Sequence, residues 1–223
     1  MIRPPAAAIA RAWFGLTAVV VALGLVVQVV VAAAGGRFDT AVDRITNLLA
    51  HFTILSNLLL GATSLRLALD PARPATGLRI LRLDAVLGIA VTGIVYHLVL
   101  APLSQSAGVA WFADQLLHTA APLLGVVGWL LFGPRGLVTP AVVAWSTLYP
   151  LLWLAVTMAR GAVVDWYPYP FMDVAALGYA RVALNGIVVT VLFLALGIGA
   201  LAVDRLLLRR SSTQDPTADQ TGP

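Results

Sequence analysis

The sequence predicts an all-α, polytopic membrane protein with six transmembrane helices. Its composition is the first reason: 60% of the 223 residues are hydrophobic and 11% are charged, more apolar surface than a soluble core of this length can bury. Six segments are mostly apolar over about 20 residues, the length a helix needs to cross a bilayer. None alternates as a membrane β-barrel strand would, so helices must satisfy the backbone polar groups.

The predicted helices cover about residues 12–34, 45–67, 83–103, 111–132, 140–160 and 176–204. Polar or Gly/Pro-rich breaks separate them: GGRFDTAVD, DPARPATGLR, LSQSAGVA, GPRGLVTP and VVDWYPYPFMD. The apolar stretch from Trp13 to Ala34 is longer than the 7–15 residues or so of a signal-peptide core, so we expect it to remain as the first helix. Residues 1–207 are expected to form one transmembrane domain, and residues 208–223 a disordered cytoplasmic tail.

The arginines predict the orientation. All 14 basic residues are Arg, and a cytoplasmic N-terminus would place ten of them inside and four outside. The outer four are Arg37, Arg44, Arg160 and Arg181. Because cytoplasmic loops carry the excess of basic residues, both termini are predicted in the cytoplasm, with the chain in the plasma membrane. The positive charge therefore reports topology, and no nucleic-acid partner is expected.

Polar side chains on four predicted helices fall at a similar depth, in the outer half of the bilayer, at 1.5 Å of rise per residue. They are Thr53 and Asn57 on the second helix, Thr92, Tyr96 and His97 on the third, Asp114, Gln115, His118 and Thr119 on the fourth, and Tyr179, Arg181 and Asn185 on the sixth. An ionisable group in the membrane costs about 2.5–3.5 kcal/mol, which favours a shared internal pocket. An interhelical hydrogen-bond network is the alternative.

Helical phase sorts these candidates. Thr53, Ser56 and Asn57 have i, i+3 and i+4 spacing and share one face of the second helix. His51 lies about 200° from Thr53 around that helix, so we expect it to have a packing or interfacial role. Asp114 and His118 are separated by four residues, which allows the carboxylate to orient the imidazole.

The sequence narrows the possible chemistry. It contains no G-x-S-x-G, phosphate-binding loop or H-E-x-x-H motif, and no cysteine. No two histidines have ligand spacing on one helix, so neither a metal nor another cofactor is predicted. A hydroxyl nucleophile with a histidine base needs only two helices in contact: Thr53 or Ser56 with His118, and Asp114 behind it. The alternative is that Thr53 bonds its own backbone and His118 is structural.

Several segments resemble a known family. They are GGRFDT, FTILSN, VTGIVYHLVL, DQLLHTAAPLLGVVGWLLFGPRG and WYPYPFMDV, within residues 11–207. The layout resembles an actinobacterial group of small six-helix membrane proteins, which is similar to the eukaryotic androgen-induced gene family and its relative, the androgen-dependent TFPI-regulating protein. Those eukaryotic proteins are intramembrane threonine hydrolases that cleave fatty acid esters of hydroxy fatty acids. The resemblance implies that Thr53 is the nucleophile and His118 the base.

The sequence therefore predicts a membrane hydrolase of lipid or fatty-acyl esters, in which Ser56 or Asn57 stabilises the oxyanion. The expected supporting or substrate-binding residues are Ser56, Asn57, Asp114, Tyr96, His97, Arg181 and Asn185. The rival functions are a carrier or binding protein for a small lipophilic molecule and a non-catalytic membrane subunit. A Thr53–His118 separation above roughly 8 Å, with no shared cavity, would count heavily against the hydrolase, since the base must reach the nucleophile.

Three other features are open to interpretation: two of them have two alternatives, and one has a single expected role. WYPYPFMD is either a lid over the pocket or an interfacial aromatic anchor. Arg181 either binds a substrate carboxylate or forms a salt bridge with Asp114 or Asp173. Asp84, which follows Arg79 and Arg82 near the cytoplasmic end of the third helix, is expected in an interfacial ion pair.

Overall fold

The computed structural model describes residues 4–70 and 78–213, and within these ranges it contains helices and no strand. Six helices are long and apolar enough to cross a membrane, which confirms the all-α class. We number them span 1 (Ala6–Ala34), span 2 (Phe52–Leu69), span 3 (Arg79–Leu103), span 4 (Gly108–Phe132), span 5 (Pro140–Val164) and span 6 (Val174–Arg210). The last helix continues to Thr213, into the predicted tail, and residues 214–223 lie outside the described residues.

Span 2 begins at Phe52 rather than near residue 45. A separate short helix covers Ala41–Asn47. Thr40 caps its N-terminus, and the Thr40 side chain accepts a hydrogen bond from the Asp43 amide. A 3-10 turn follows it, and His51 then adopts an extended backbone with φ −84° and ψ 126° and caps span 2. Thr53 therefore lies in the first turn of the span, where backbone N–H groups have no helical acceptor.

Two spans contain a π-helical turn. In span 3 the turn covers Tyr96–Leu100, and in span 4 it covers Leu116–Ala120. Proline has no N–H group, so it cannot donate a hydrogen bond to the carbonyl four residues earlier. For Pro102 that carbonyl belongs to Leu98, and for Pro122 it belongs to His118. Both carbonyls lie inside the π turns. The prolines thus give a local reason for both π turns, a feature that is frequent at functional sites.

Spans 5 and 6 are also irregular. Span 5 consists of the helices Pro140–Ser146 and Leu148–Val164. Residues 165–173, which we call the aromatic loop, begin with Asp165 in the left-handed region and contain a 3-10 turn at Pro170–Met172. In span 6, Gly178 has φ 74° and ψ 158°, which breaks the helical geometry near the start of the helix.

The centre of the bundle is formed where spans 1 to 4 pack together. Val21, Leu60, Ile89 and two alanines of spans 3 and 4 form one buried cluster. Gly125 permits this contact, because a Cβ atom there would lie 2.9 Å from Leu60 Cδ1. This packing joins span 2 to span 4, the two helices that carry Thr53 and His118.

The ion pair predicted for Asp84 does not form. Asp84 is only 4% exposed, and no salt bridge involves it in the part of the chain that the structure describes. Arg82 lies two residues earlier, and residues with this spacing do not face each other on a helix. Asp84 is therefore a residue buried within the bundle and, among the described residues, not a member of an ion pair.

Candidate active site

Thr53 and His118 lie within hydrogen-bond distance of each other. The Oγ1 atom of Thr53 is 3.3 Å from Nε2 of His118, although 65 residues separate them in the chain. Thr53 is buried in the first turn of span 2, and His118 comes from the π turn of span 4. The two side chains therefore have the geometry required of a hydroxyl nucleophile and its base.

The hydrogen bond at the other ring nitrogen defines the tautomer of His118. Nδ1 lies 3.2 Å from the backbone carbonyl oxygen of Asp114, which can only accept a hydrogen bond. On this assignment Nδ1 carries the hydrogen, Nε2 is the acceptor, and the Thr53 hydroxyl donates to Nε2. The Asp114 carboxylate is 3.6 Å from Nδ1, so it can stabilise the imidazolium that forms when Nε2 takes a proton.

Tyr169 adds a further hydrogen bond, so that the donors around Thr53 form a directed chain that ends at Nε2 of His118. The Thr53 backbone N–H donates to the Tyr169 hydroxyl oxygen over 3.2 Å, and the same hydroxyl lies 3.2 Å from Thr53 Oγ1. Because the Thr53 hydroxyl hydrogen is directed to His118, the Tyr169 hydroxyl donates to Oγ1. Burial raises the pKa of Tyr169, which keeps the phenol protonated as a donor. The sequence did not identify this residue as part of the site.

The aromatic loop positions Tyr169. The Tyr169 ring stacks on Phe171 with centroids 5.2 Å apart, and the Asn185 side chain donates to the Phe171 carbonyl over 2.8 Å. The ring of His51 packs against both Trp166 and Tyr169. His51 thus contacts the aromatic loop, and Asn185 anchors it from span 6.

Tyr96 restrains the imidazole of His118. The two rings stack with centroids 4.2 Å apart and an interplanar angle of 15°. Each ring comes from one of the two π turns, so the irregular segments of spans 3 and 4 meet at this contact. The tyrosine ring, which is buried, covers one face of the base.

The two predicted oxyanion donors point elsewhere. The Ser56 hydroxyl bonds the Tyr149 hydroxyl at 3.0 Å. Asn57 is fully buried, and its Nδ2 donates to the carbonyl oxygens of Thr53 and Leu117. Asn57 therefore ties span 2 to span 4, while Ser56 faces span 5.

The remaining predicted residues lie at the edge of the site. His97 is exposed and its Nε2 is 3.1 Å from the Thr119 hydroxyl. Arg181 is exposed and, within the described ranges, forms a salt bridge with neither Asp114 nor Asp173. The Asp173 carboxylate instead accepts hydrogen bonds from two backbone amides at the start of span 6. Among residues 4–70 and 78–213, no three His or Asp side chains are grouped closely enough to hold a metal ion.

Two cavities meet at Thr53. The first is apolar, lies between spans 2, 3, 5 and 6, and is lined by residues that include Val91, Trp153 and Phe193. The second, which we call the vestibule, is the more polar of the two, with Gln28, Ser104, Ser106, Asp114 and His118 in its wall. Thr53, Leu100 and Tyr169 line both cavities. The Thr53 hydroxyl is therefore placed at the boundary between an apolar and a polar compartment.

A cleft between spans 5 and 6 adjoins the apolar cavity. The two share Leu154, Val182, Gly186 and Thr190. The cleft is also lined by Ile187 and Val191, which are 60% and 59% exposed on the outside of the bundle. The exposed cleft and the apolar cavity beside Thr53 therefore adjoin each other at these residues.

No protein-family model, curated protein or solved structure matches this chain. The resemblance to the androgen-induced gene family accordingly rests on the segments quoted above. The chemistry of the site follows from the side chains around Thr53.

Proposed function

We propose that this protein is a plasma-membrane hydrolase of lipid esters, with Thr53 as the nucleophile and His118 as the general base. The supporting observation is the directed chain of hydrogen bonds that ends at Nε2 of His118. It supports a nucleophilic threonine because the hydroxyl hydrogen already points at the base. From the arginine distribution, we place the end of the bundle that carries Thr53 at the outer face of the membrane.

The first half-reaction transfers the acyl group to Thr53. As Oγ1 bonds to the ester carbonyl carbon, its proton passes to Nε2 of His118 and the carbonyl electron pair moves to oxygen. Asp114 stabilises the imidazolium through its backbone carbonyl and its carboxylate. When the carbonyl re-forms, the bond to the alcohol breaks, the alcohol takes the proton from Nε2, and an acyl-Thr53 ester remains.

The second half-reaction restores the enzyme. Water from the vestibule gives a proton to Nε2 of His118 and bonds to the acyl carbon of the Thr53 ester. The tetrahedral intermediate then releases a carboxylic acid, and Thr53 Oγ1 recovers the proton from Nε2. His118 is thus base and acid in turn in each half-reaction.

Tyr169 and the backbone N–H of Thr53 are the donors we assign to the oxyanion, in place of Ser56 and Asn57. Both groups lie beside Oγ1, the atom to which the carbonyl carbon becomes bonded. Once Oγ1 carries the acyl group, the tyrosine hydroxyl can donate to the neighbouring carbonyl oxygen. Preorganised donors of this kind stabilise the charge that develops in the transition state.

The two cavities indicate how a lipid ester would bind. Its acyl chain enters through the cleft beside Gly186 and occupies the apolar cavity. Its alcohol portion and the attacking water occupy the vestibule, where Asp114 and two serines supply polar groups. Arg181 lines none of the three cavities, so it has no part in this binding scheme.

The test compares purified wild-type protein with Thr53→Ala and His118→Ala on long-chain p-nitrophenyl esters and with a fluorophosphonate probe. Both variants should lose hydrolysis, and Thr53→Ala should lose the label. Thr17→Ala is the matched control, because Thr17 is buried in span 1 and its hydroxyl bonds the Trp13 carbonyl. Equal hydrolysis by Thr53→Ala and wild type would exclude the mechanism. Stabilisation of wild type by a lipophilic ligand without turnover would instead identify a carrier.

A further inference from the structure

Another cavity lies at the other end of the bundle from Thr53. Three arginines line it, Arg66 of span 2 and Arg79 and Arg82 of span 3. Its remaining wall is largely apolar and includes Trp129 of span 4. Arg66 is separated from Thr53 by 13 positions of one continuous helix, about 20 Å at 1.5 Å per residue. The cavity is therefore separate from the candidate active site.

The arginine donors in this cavity are incompletely satisfied. Arg82 is only 9% exposed, and its Nη1 atom donates to the Thr63 hydroxyl over 3.2 Å. Its Nε and Nη2 atoms, and Nε of Arg79, are buried and have no hydrogen-bond partner within residues 4–70 and 78–213. Buried charged groups normally have hydrogen-bond partners, because a buried donor without an acceptor costs free energy. A bound anion would supply the acceptors that these N–H groups lack among the described residues.

Groups within the protein only partly compensate the positive charge. The Arg82 guanidinium lies 5.3 Å from the centre of the Phe14 ring, a contact that stabilises the cation. The ring face is no substitute for acceptors in the plane of the guanidinium. In the described part of the chain, no salt bridge joins Arg66, Arg79 or Arg82 to a carboxylate.

We propose that this cavity binds a phosphate group, and specifically the headgroup phosphate of an anionic phospholipid. Guanidinium groups match phosphate oxygens in paired hydrogen bonds, and three of them offer more donors than one carboxylate can accept. The cavity lies near the ends of spans 2 and 3, where lipid headgroups contact a membrane protein, and basic pockets between transmembrane helices bind such headgroups. The apolar wall contacts the lipid beside its phosphate. The site does not depend on the function proposed for Thr53.

The first experiment measures thermal unfolding of delipidated protein in neutral detergent, with dioleoyl phosphatidylglycerol, dioleoyl phosphatidylcholine or inorganic phosphate added. Phosphatidylglycerol should raise the Tm of wild type by several degrees, and phosphatidylcholine should not. Arg82→Gln should lose the shift. Arg11→Gln should keep it, because Arg11 is exposed and donates to the Ala68 carbonyl outside the cavity. An equal rise with inorganic phosphate would support the phosphate site but assign a free phosphate as its ligand.

A second measurement covers the case in which Arg82→Gln does not fold. Arg79 is only partly buried, so Arg79→Gln removes one guanidinium group from the cavity and leaves the buried Arg82 in place. Native mass spectrometry should show phosphatidylglycerol retained by wild type and Arg11→Gln, and at least tenfold less retained by Arg79→Gln. The proposal is overturned if phosphatidylglycerol does not stabilise wild type, or if Arg79→Gln and every folded Arg82 variant retain the lipid as wild type does.

Discussion

The rings of Tyr96 and His118 stack at 4.2 Å, and each ring is carried by a π-helical turn. Both rings therefore come from irregular segments of their helices, a feature that is frequent at functional sites. The contact leaves Nε2 of His118 directed at the Thr53 hydroxyl. Tyr96 is therefore a positioning residue for the base.

The stack can be tested with two substitutions at one position. Tyr96→Phe keeps the ring, so its kcat for a p-nitrophenyl ester should equal that of wild type. Tyr96→Leu removes the aromatic pair, which is worth about 0.5–1.5 kcal/mol, and kcat should fall about 2- to 10-fold. KM should change little, because the stack orients the base and is not part of the binding scheme for the ester. A loss of the same size in Tyr96→Phe would show that the hydroxyl, and not the stack, matters.

Tyr169→Phe removes one of the two assigned oxyanion donors. Loss of one such donor typically costs about 100-fold or more in kcat, with little change in KM. Tyr167→Phe is the matched control, since Tyr167 belongs to the same loop but its ring packs beside Gly161. The Tm of each variant is measured in parallel. If Tyr169→Phe lowers Tm but leaves the kcat of the folded fraction unchanged, the hydroxyl has only a structural role.

The sequence was sufficient to predict the six spans and, together with the family resemblance, to nominate Thr53 and His118. Bilayer thickness imposes a minimum apolar length, so the long hydrophobic segments locate the helices without any tertiary information. Span 2 was placed too early because Ile45 to Ala50 is apolar enough to continue the helix, while the break at His51 depends on tertiary packing against Trp166 and Tyr169.

Other parts of the site could not be inferred from helical periodicity. Tyr169 reaches Thr53 from a loop, and its position depends on contacts with Phe171 and His51 that no spacing rule describes. Asn57 shares a face with Thr53, as predicted, but its amide bonds backbone carbonyls, whose positions a sequence does not show. Pro122 was an available signal for the π turn, because its missing N–H leaves the His118 carbonyl without its α-helical donor.

The apolar cleft predicts a dependence on acyl-chain length. A Cβ atom on Gly186 would lie 3.5 Å from Leu154, so Gly186→Phe should fill the cleft. Hydrolysis of p-nitrophenyl palmitate should fall about tenfold or more, while that of p-nitrophenyl acetate should stay near the wild-type rate. Gly199→Phe is the control, since Gly199 is exposed on span 6 with nothing within 4 Å of its Cβ position. Equal losses on both esters would argue against chain entry at this cleft.

The burial of His51 against the aromatic loop predicts how the stability of the protein depends on pH. Burial lowers the pKa of His51 from its usual value of 6.5, with a smaller contribution from Arg160. The unfolded chain therefore binds a proton at this residue more readily than the folded chain does. Stability from this group is present above about pH 6.5 and is lost as the pH falls towards the lower folded-state pKa.

The measurement compares Tm at pH 7.5 and pH 5.5 for wild type, His51→Phe and His97→Gln. Wild type should unfold at a lower temperature at pH 5.5, and His51→Phe should reduce that difference because a neutral ring then packs against Trp166 and Tyr169. His97→Gln should retain the wild-type difference, since His97 is exposed and its ring bonds the Thr119 hydroxyl. A His51→Phe protein with the full wild-type difference would assign the acid sensitivity to another group.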